Sequence, residues 1–276
     1  MAGASTEGQT ARGSGPAQAT RRGRAMKAAA PVLDLLYPPT CLVCEEAAAE
    51  TGGLCAACWR ETEFIAGRVC DRCGAPMEAG LAEPAETLSC EDCAKRPPAW
   101  DRGRAAVIYA GAGRGLVLAL KHGDRLEAAR PMARWMARAG AEALAEADAI
   151  LPTPLHWRRR LSRRFNQSAE LARALAAETG LPLIADGLRR VRPTESQDGK
   201  SRGQRFENVR SAFRARPRAL ASVTGGTVLL VDDVLTTGAT LSACAEALRT
   251  AGVAHVHALV FARVPLETKD EYEFPI

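Results

Sequence analysis

Along the chain, apolar and polar positions change texture three times. Beyond residue 100, short apolar runs alternate with helically spaced ones. Residues 105–109 form an apolar run with a β-branched centre, and 149–153 form a strand-like run stopped by Pro152 and Pro154. Residues 227–231 are continuously apolar, as expected of a strand buried on both faces, and 253–261 read as a further strand. Between these runs, 115–121, 132–147, 166–178 and 239–250 carry helical spacing, with Met132, Trp135 and Met136 on one face and Gly180 and Gly252 as stop signals. Gly111, Gly113 and Gly115 read as a turn. Strands alternating with helices predict an α/β domain, a mostly parallel sheet with helices on both faces. Residues 41–93, in contrast, hold few large apolar side chains, and residues 1–30 hold almost nothing that could pack.

The cysteines explain how the second stretch can fold. Eight of the nine fall into four C-x-x-C pairs: Cys41/Cys44, Cys55/Cys58, Cys70/Cys73 and Cys90/Cys93. Two residues between cysteines let a tight turn aim both thiolates at one ion, and two such turns complete a tetrahedral zinc site of four thiolates. Gaps of 10, 11 and 16 residues between successive pairs suit zinc ribbons. Both a sequential and an interleaved pairing of the motifs fit the spacing. Four protein ligands leave no open position, so the two Zn²⁺ sites are expected to be structural and to supply the folding energy that a sparse core cannot. Cys244 stands apart in a helical pattern and reads as a small buried hydrophobe.

Composition bounds the rest. A chain of 276 residues with 47% hydrophobic and 25% charged residues is typical of soluble proteins. No apolar run approaches the ~18 residues of a membrane span, and the opening MAGASTEG lacks the apolar segment of an export signal. A cytoplasmic protein without membrane insertion is the expectation. The net charge of +5 is concentrated: Arg12, Arg21, Arg22, Arg24 and Lys27 against Glu7 place most of it in residues 1–30, expected to be a disordered basic tail. The organisation expected is this tail, a zinc module over 31–100, an α/β domain over 101–264 and an acidic end over 265–276.

Within the α/β domain, residues 228–240 read VLLVDDVLTTGAT. A buried strand delivers Asp232 and Asp233, a short loop follows, and a helix begins. Ligands of open α/β sheets bind at the carboxyl ends of strands, and loop amides with a helix N-terminus favour an anion. Thr236, Thr237 and Thr240 add hydroxyls, Gly238 admits close backbone approach, and Ala239 starts the helix. Paired carboxylates accept hydrogen bonds from vicinal hydroxyls, so a sugar phosphate satisfies both halves. No Lys follows the glycine, which excludes a Walker A loop.

This string resembles the PRPP-binding motif of type I phosphoribosyltransferases. With LKHGD (120–124), LPTPL (151–155), RFNQ (164–167), and Gln204, Arg205 and NVRSAF (208–213), behind four C-x-x-C pairs, the chain is similar to the ComF family. The resemblance implies a double zinc ribbon before a type I phosphoribosyltransferase-like sheet flanked by helices, in a protein linked to DNA uptake during natural transformation. It implies that Asp232 and Asp233 take the ribose hydroxyls and that Thr236–Thr240 hold the 5-phosphate, with Mg²⁺ bridging ribose and pyrophosphate. Arg164 stands where the family usually has glycine. Two basic runs flank the expected pocket: 156–164, with five arginines beside Trp157 and Phe165, and 189–218. Guanidinium groups there suit a pyrophosphate or a single DNA strand, and the polar segment 192–210 corresponds to a closing lid. Lys121 and His122 are candidate polar contacts near the ligand. His255 and His257 alternate on one strand face and read as a packed or solvent-facing pair. Two functions follow: a phosphoribosyl-binding protein that engages single-stranded DNA or DNA-uptake proteins, or an enzyme passing the phosphoribosyl group of Mg–PRPP to a nitrogen acceptor. No catalytic acid or base stands out.

Overall fold

The four central strands follow apolar runs of the chain. The structure, a computed structural model, describes residues 38–77, 87–122, 125–155, 165–192 and 201–265. The basic tail, the arginine run 156–164 with Arg164, most of the acidic end, and 193–200 of the lid segment lie outside the described residues. The strands are β1 (Arg102–Ile108), β2 (Ala149–Pro152), β3 (Leu188–Arg190), β4 (Phe213–Ala215), β5 (Thr227–Leu235) and β6 (His255–Arg263). The helices are α1 (Ala56–Arg60), α2 (Glu91–Lys95), α3 (Gly111–His122), α4 (Ala129–Ala139), α5 (Ala141–Glu146), α6 (Gln167–Thr179), α7 (Arg202–Val209) and α8 (Ala239–Thr250).

The main sheet runs β1-β6-β5-β2, parallel throughout. Its alternating side chains divide into two cores. Val228 and Leu230 point to the α8 side with Leu241, Ala245 and Leu248. Leu229, Val231, Leu259 and Phe261 point the other way, into Leu116, Met132, Met136 and Leu171. The short antiparallel pair β3-β4 stands apart and packs on α8.

Differences from the sequence-based expectation have steric causes. The glycines at 111, 113 and 115 form no turn but the first turns of α3. A Cβ there would meet Glu61 O at 2.7 Å, Ile108 O at 2.7 Å and Val43 Cγ1 at 2.6 Å, so the glycines let α3 press against β1 and the first ribbon. The expected single helix over 132–147 breaks at Gly140, where a Cβ would lie 2.8 Å from the Leu259 side chain. β5 continues past the apolar run through both acids to Leu235, because its register with β6 persists to Arg263. Helix α6 starts one residue later than expected, with Asn166 as its cap: Oδ1 accepts from Ser168 N (3.2 Å) while Nδ2 donates to the Thr153 carbonyl (3.0 Å).

The cysteine-rich segment packs onto this sheet. Ile65 N donates to Ala106 O and Ile108 N to Glu63 O, both at 2.9 Å, so the linker between the two ribbons pairs along β1 and covers an edge that would otherwise be open. Cys70, Cys73, Cys90, Cys93 and Trp100 belong to the same buried cluster as Leu230 and Leu241. Trp100 is 3% exposed and its indole Nε1 donates to the Arg72 carbonyl (2.5 Å). No helix among the described residues is long and apolar enough to cross a membrane. Trp100→Ala should cost about 3–5 kcal/mol of stability, measured as a lower urea midpoint at unchanged slope; an unchanged midpoint would show that the ribbon and sheet do not rely on this side chain.

Candidate functional site

The eight cysteines gather into two groups: Cys41, Cys44, Cys55 and Cys58, and Cys70, Cys73, Cys90 and Cys93. The pairing left open by the spacing is therefore sequential. In each group the four Sγ atoms lie within 4.8 Å of one another. Cys44 and Cys55 sulfurs are 3.5 Å apart and those of Cys73 and Cys90 3.7 Å, against about 3.8 Å for the edge of a zinc tetrathiolate. All-sulfur donor sets of this size fit Zn²⁺ as structural centres. The second group is the more buried, and a cation faces it. Arg263, fully buried at the end of β6, donates from Nη1 to Cys73 O (2.5 Å) and to Cys73 Sγ (3.1 Å). Hydrogen bonds from Cys70 and Cys93, helped by the Arg263 charge against the effect of burial, hold the Cys73 thiol far below its ordinary pKa. Cys244 lies elsewhere, on the buried face of α8, where loss of solvation pushes its thiol up.

The second site lies at the carboxyl end of β5. Asp232 Oδ1 accepts from Thr153 Oγ1 (2.7 Å), Ser168 Oγ (2.7 Å) and the amide of Asp233 (3.0 Å). Burial, then the neighbouring Asp233 charge, push its pKa up to about 6 despite those hydrogen bonds. Asp233 Oδ1 accepts from Val234 N (2.8 Å), and Oδ2 lies 3.3 Å from Nζ of the buried Lys121 at the end of α3. Thr236, Thr237, Gly238, Ala239 and Thr240 wrap a small hollow that also touches Asp232 and Arg205 of α7. Gly238 has φ +82°, a conformation only glycine adopts freely, and precedes the first residue of α8. The loop therefore presents backbone amides, hydroxyls and a helix N-terminus to a hollow that the Asp232 carboxylate also lines, with Asp233 next along the strand, an arrangement suited to a phosphate joined to a sugar hydroxyl.

The candidate residues at 232–240 thus stand together, and Lys121 joins them. Arg205 comes from the basic run expected to flank the pocket, whereas Thr153 and Ser168 went unrecognised as site residues. Thr153 and Ser168 come from β2 and α6, and no local pattern links them to Asp232. His122 closes α3, and its side chain is not described. His257 Nε2 lies 2.8 Å from Glu146 Oε2, and the exposed His255 lies 3.6 Å from Asp101, so the two form no common ligand set. The arginines of 189–218 do not converge. Arg216 pairs with Asp186 (2.5 Å), Arg192 donates to the carbonyl of Arg210 (2.7 Å), and Arg202 and Arg205 reach the loop.

Two four-cysteine centres set on a parallel sheet whose strand end carries an acid pair and a phosphate-type loop define a double zinc ribbon joined to a phosphoribosyltransferase-like domain. Family models agree: a double zinc ribbon domain matches residues 32–94, and a phosphoribosyl transferase domain matches 166–275. The chain is 34% identical over 229 residues to the DNA utilization protein YhgH of Salmonella typhimurium, covering 80% of this chain and 96% of the relative. It is 31% identical over 228 residues to YhgH of Escherichia coli K12, with the same shares covered. It is 28% identical over 216 residues to competence protein F of Haemophilus influenzae, covering 76% and 90%. The chain belongs to the ComF family. Among solved structures, the allosteric regulatory enzyme of purine biosynthesis aligns with a TM-score of 0.36 at 22% identity over 52% of this chain and 30% of that one. Adenine phosphoribosyltransferase of Saccharomyces cerevisiae aligns at 0.33 and 14% over 51% and 70%. Scores this low add nothing to what the sheet and the family matches establish.

Purified protein should carry two zinc ions per chain by elemental analysis, and Cys73→Ser should remove one of them; an unchanged metal content in that variant would contradict a four-thiolate second site. Because Asp232 protonates near pH 6 when folded and near 4 when unfolded, the folded chain binds more protons in between. It therefore loses stability as pH rises through that interval. Asp232→Asn should accordingly raise stability by roughly 1–2 kcal/mol at pH 7.5 and leave it nearly unchanged at pH 4.5, read from thermal unfolding at both pH values.

Proposed function

We propose that the β5 strand end and the loop after it bind a phosphoribosyl ligand, PRPP or a related ribose 5-phosphate, in a protein that serves DNA utilization. The observation that carries this is the acid pair at the end of a buried parallel strand, followed at once by the Gly238-hinged start of α8. On this reading the ribose hydroxyls donate to Asp232 and Asp233. Thr153 and Ser168 then hold one carboxylate in place for that task, and Lys121 holds the other. The 5-phosphate sits among the amides and hydroxyls of Thr236–Thr240. Mg²⁺, when it accompanies a pyrophosphate, would neutralise charge that the loop alone does not meet.

The role in DNA utilization comes from the relatives' names, and with it single-stranded DNA and DNA-uptake proteins as partners. Arg202 and Arg205 beside the loop support an anionic ligand of either kind. A transferase reading has one observation in its favour. Helix α7 is fixed by a capping box between Ser201 and Gln204, and it sets the buried Arg205 against the loop, as a lid over a reacting phosphate would be.

Titration calorimetry of the zinc-loaded chain should show binding of PRPP and of ribose 5-phosphate. Asp233→Asn should weaken both by at least about tenfold, the loss of roughly one charge-assisted hydrogen bond. Absence of heat with either ligand would end this reading; pyrophosphate release on adding nitrogen bases would decide for the transferase.

A further inference from the structure

The linker between the two ribbons touches β1 at two places. Ile65 N donates to Ala106 O, and farther back along the strand Gly103 N donates to Asp71 O, both at 2.9 Å. Between these contacts a cavity of about 670 Å³ opens toward the bend between α4 and α5. One wall is aromatic. Trp59, Phe64 and Trp135 lie with ring centres 4.8 to 5.9 Å apart, and Trp135 stacks in turn on Phe261 of β6. Trp59 is 50% exposed and Phe64 36%. The charged lining is Arg68, Arg104 and Arg138 against Asp71 and Glu142. Arg104 is buried and binds both carboxylates, at 3.1 and 3.0 Å, whereas Arg138 is exposed. Open aromatic rings beside surplus positive charge call for an occupant that is both apolar and acidic.

The chain itself carries such a segment. Residues 270–276 read DEYEFPI. Tyr272, Phe274 and Ile276 recur at every second position with Glu271 and Glu273 between them, the period of an extended strand with one apolar and one acidic face. Residues 266–276 hold Glu267, Asp270, Glu271 and Glu273 against Lys269 alone, opposite in sign to the cavity. The reach suffices. Arg263 of β6 pairs with Ile108 of β1, and Ile108 N donates to Glu63 O of the linker. Two strand spacings, about 10 Å, therefore separate the end of β6 from the linker beside Phe64. Residues 266–271 span up to about 20 Å when extended. We propose that the acidic segment 270–276 docks in this cavity of its own chain, with Tyr272 and Phe274 on the aromatic wall and Glu271 and Glu273 toward Arg68 and Arg138. The segment thereby ties the end of β6 to the linker, and another protein can take the groove only by displacing it.

The test uses the full zinc-loaded chain, a variant ending at Pro265, and a synthetic peptide of residues 266–276. The peptide should bind the shortened chain. It should bind the full chain roughly tenfold more weakly, because the tethered segment competes at an effective concentration in the millimolar range. The double substitution Tyr272→Ser with Phe274→Ser in the full chain should admit the peptide as the shortened chain does, which keeps the test open if shortening impairs folding. Either change should also expose Trp59 to acrylamide, read as increased fluorescence quenching that disappears in a Trp59→Leu background. Arg138→Glu in the shortened chain should weaken the peptide at least about threefold, whereas Arg189→Glu, away from the cavity, should leave it unchanged. Absence of peptide binding to the shortened chain and to the double variant overturns the proposal, as does equal affinity for these and the full chain. A dimer of the full chain that dissociates when the segment is removed would place the segment on a second copy and overturn docking within one chain.

Discussion

A single guanidinium holds the two halves of this molecule in one electrostatic unit. Arg263 is fully buried, and among the described residues its Nε and Nη2 find no hydrogen-bond partner. A cation in that position costs several kcal/mol unless an opposite charge faces it. What faces it through Nη1 is the Cys73 sulfur, one corner of the second four-cysteine group. A zinc tetrathiolate carries two negative charges, so the metal centre is the counter-ion of the sheet as well as the staple of the ribbon. Because Leu235 pairs with Arg263 across β5 and β6, the same arginine stands directly behind the loop that follows the acid pair.

The acids themselves are arranged for unequal work. Asp232 is held by two hydroxyls and its neighbour's amide, and its burial keeps it reluctant to ionise; Asp233 faces a buried lysine. Two adjacent carboxylates at a strand end repel each other. The fold divides the cost by giving one neutral donors and the other a cation. Of the two, Asp232 also lines the hollow formed by the loop.

Much of this was legible along the chain because it is local. The run 227–231 is apolar on both faces because β5 is central, and α8 occupies the residues its spacing indicates, 239–250. The C-x-x-C turns need only two intervening residues, so the ligands stood out, whereas their sequential grouping depends on how the turns pack and was not fixed by spacing. The glycines that open α3 misled because a turn and a tightly packed helix use glycine for different reasons, conformation in one and clearance in the other. Thr153 and Ser168 lie 79 and 64 residues from the aspartate they hold, and Arg202 lies 110 residues from Asp92. Such long-range polar contacts carry no periodic trace, and the site's second layer is built from them.

Gly238 is required twice. Its φ is left-handed, and a Cβ there would lie 2.6 Å from Trp100 Cη2. The indole that excludes it is tethered by Nε1 to the ribbon backbone at Arg72. The ribbon therefore acts as the back wall of the phosphate loop, and its shape is moulded to a missing side chain on the neighbouring lobe. The ribbon is then no detachable cassette. Swapping it for another zinc-binding module that lacked an indole at this spot would leave a void behind the loop, and a bulkier filling would push the loop toward its own ligand. In this chain the two modules fit one another at that contact, and an exchanged ribbon would have to bring its own side of it.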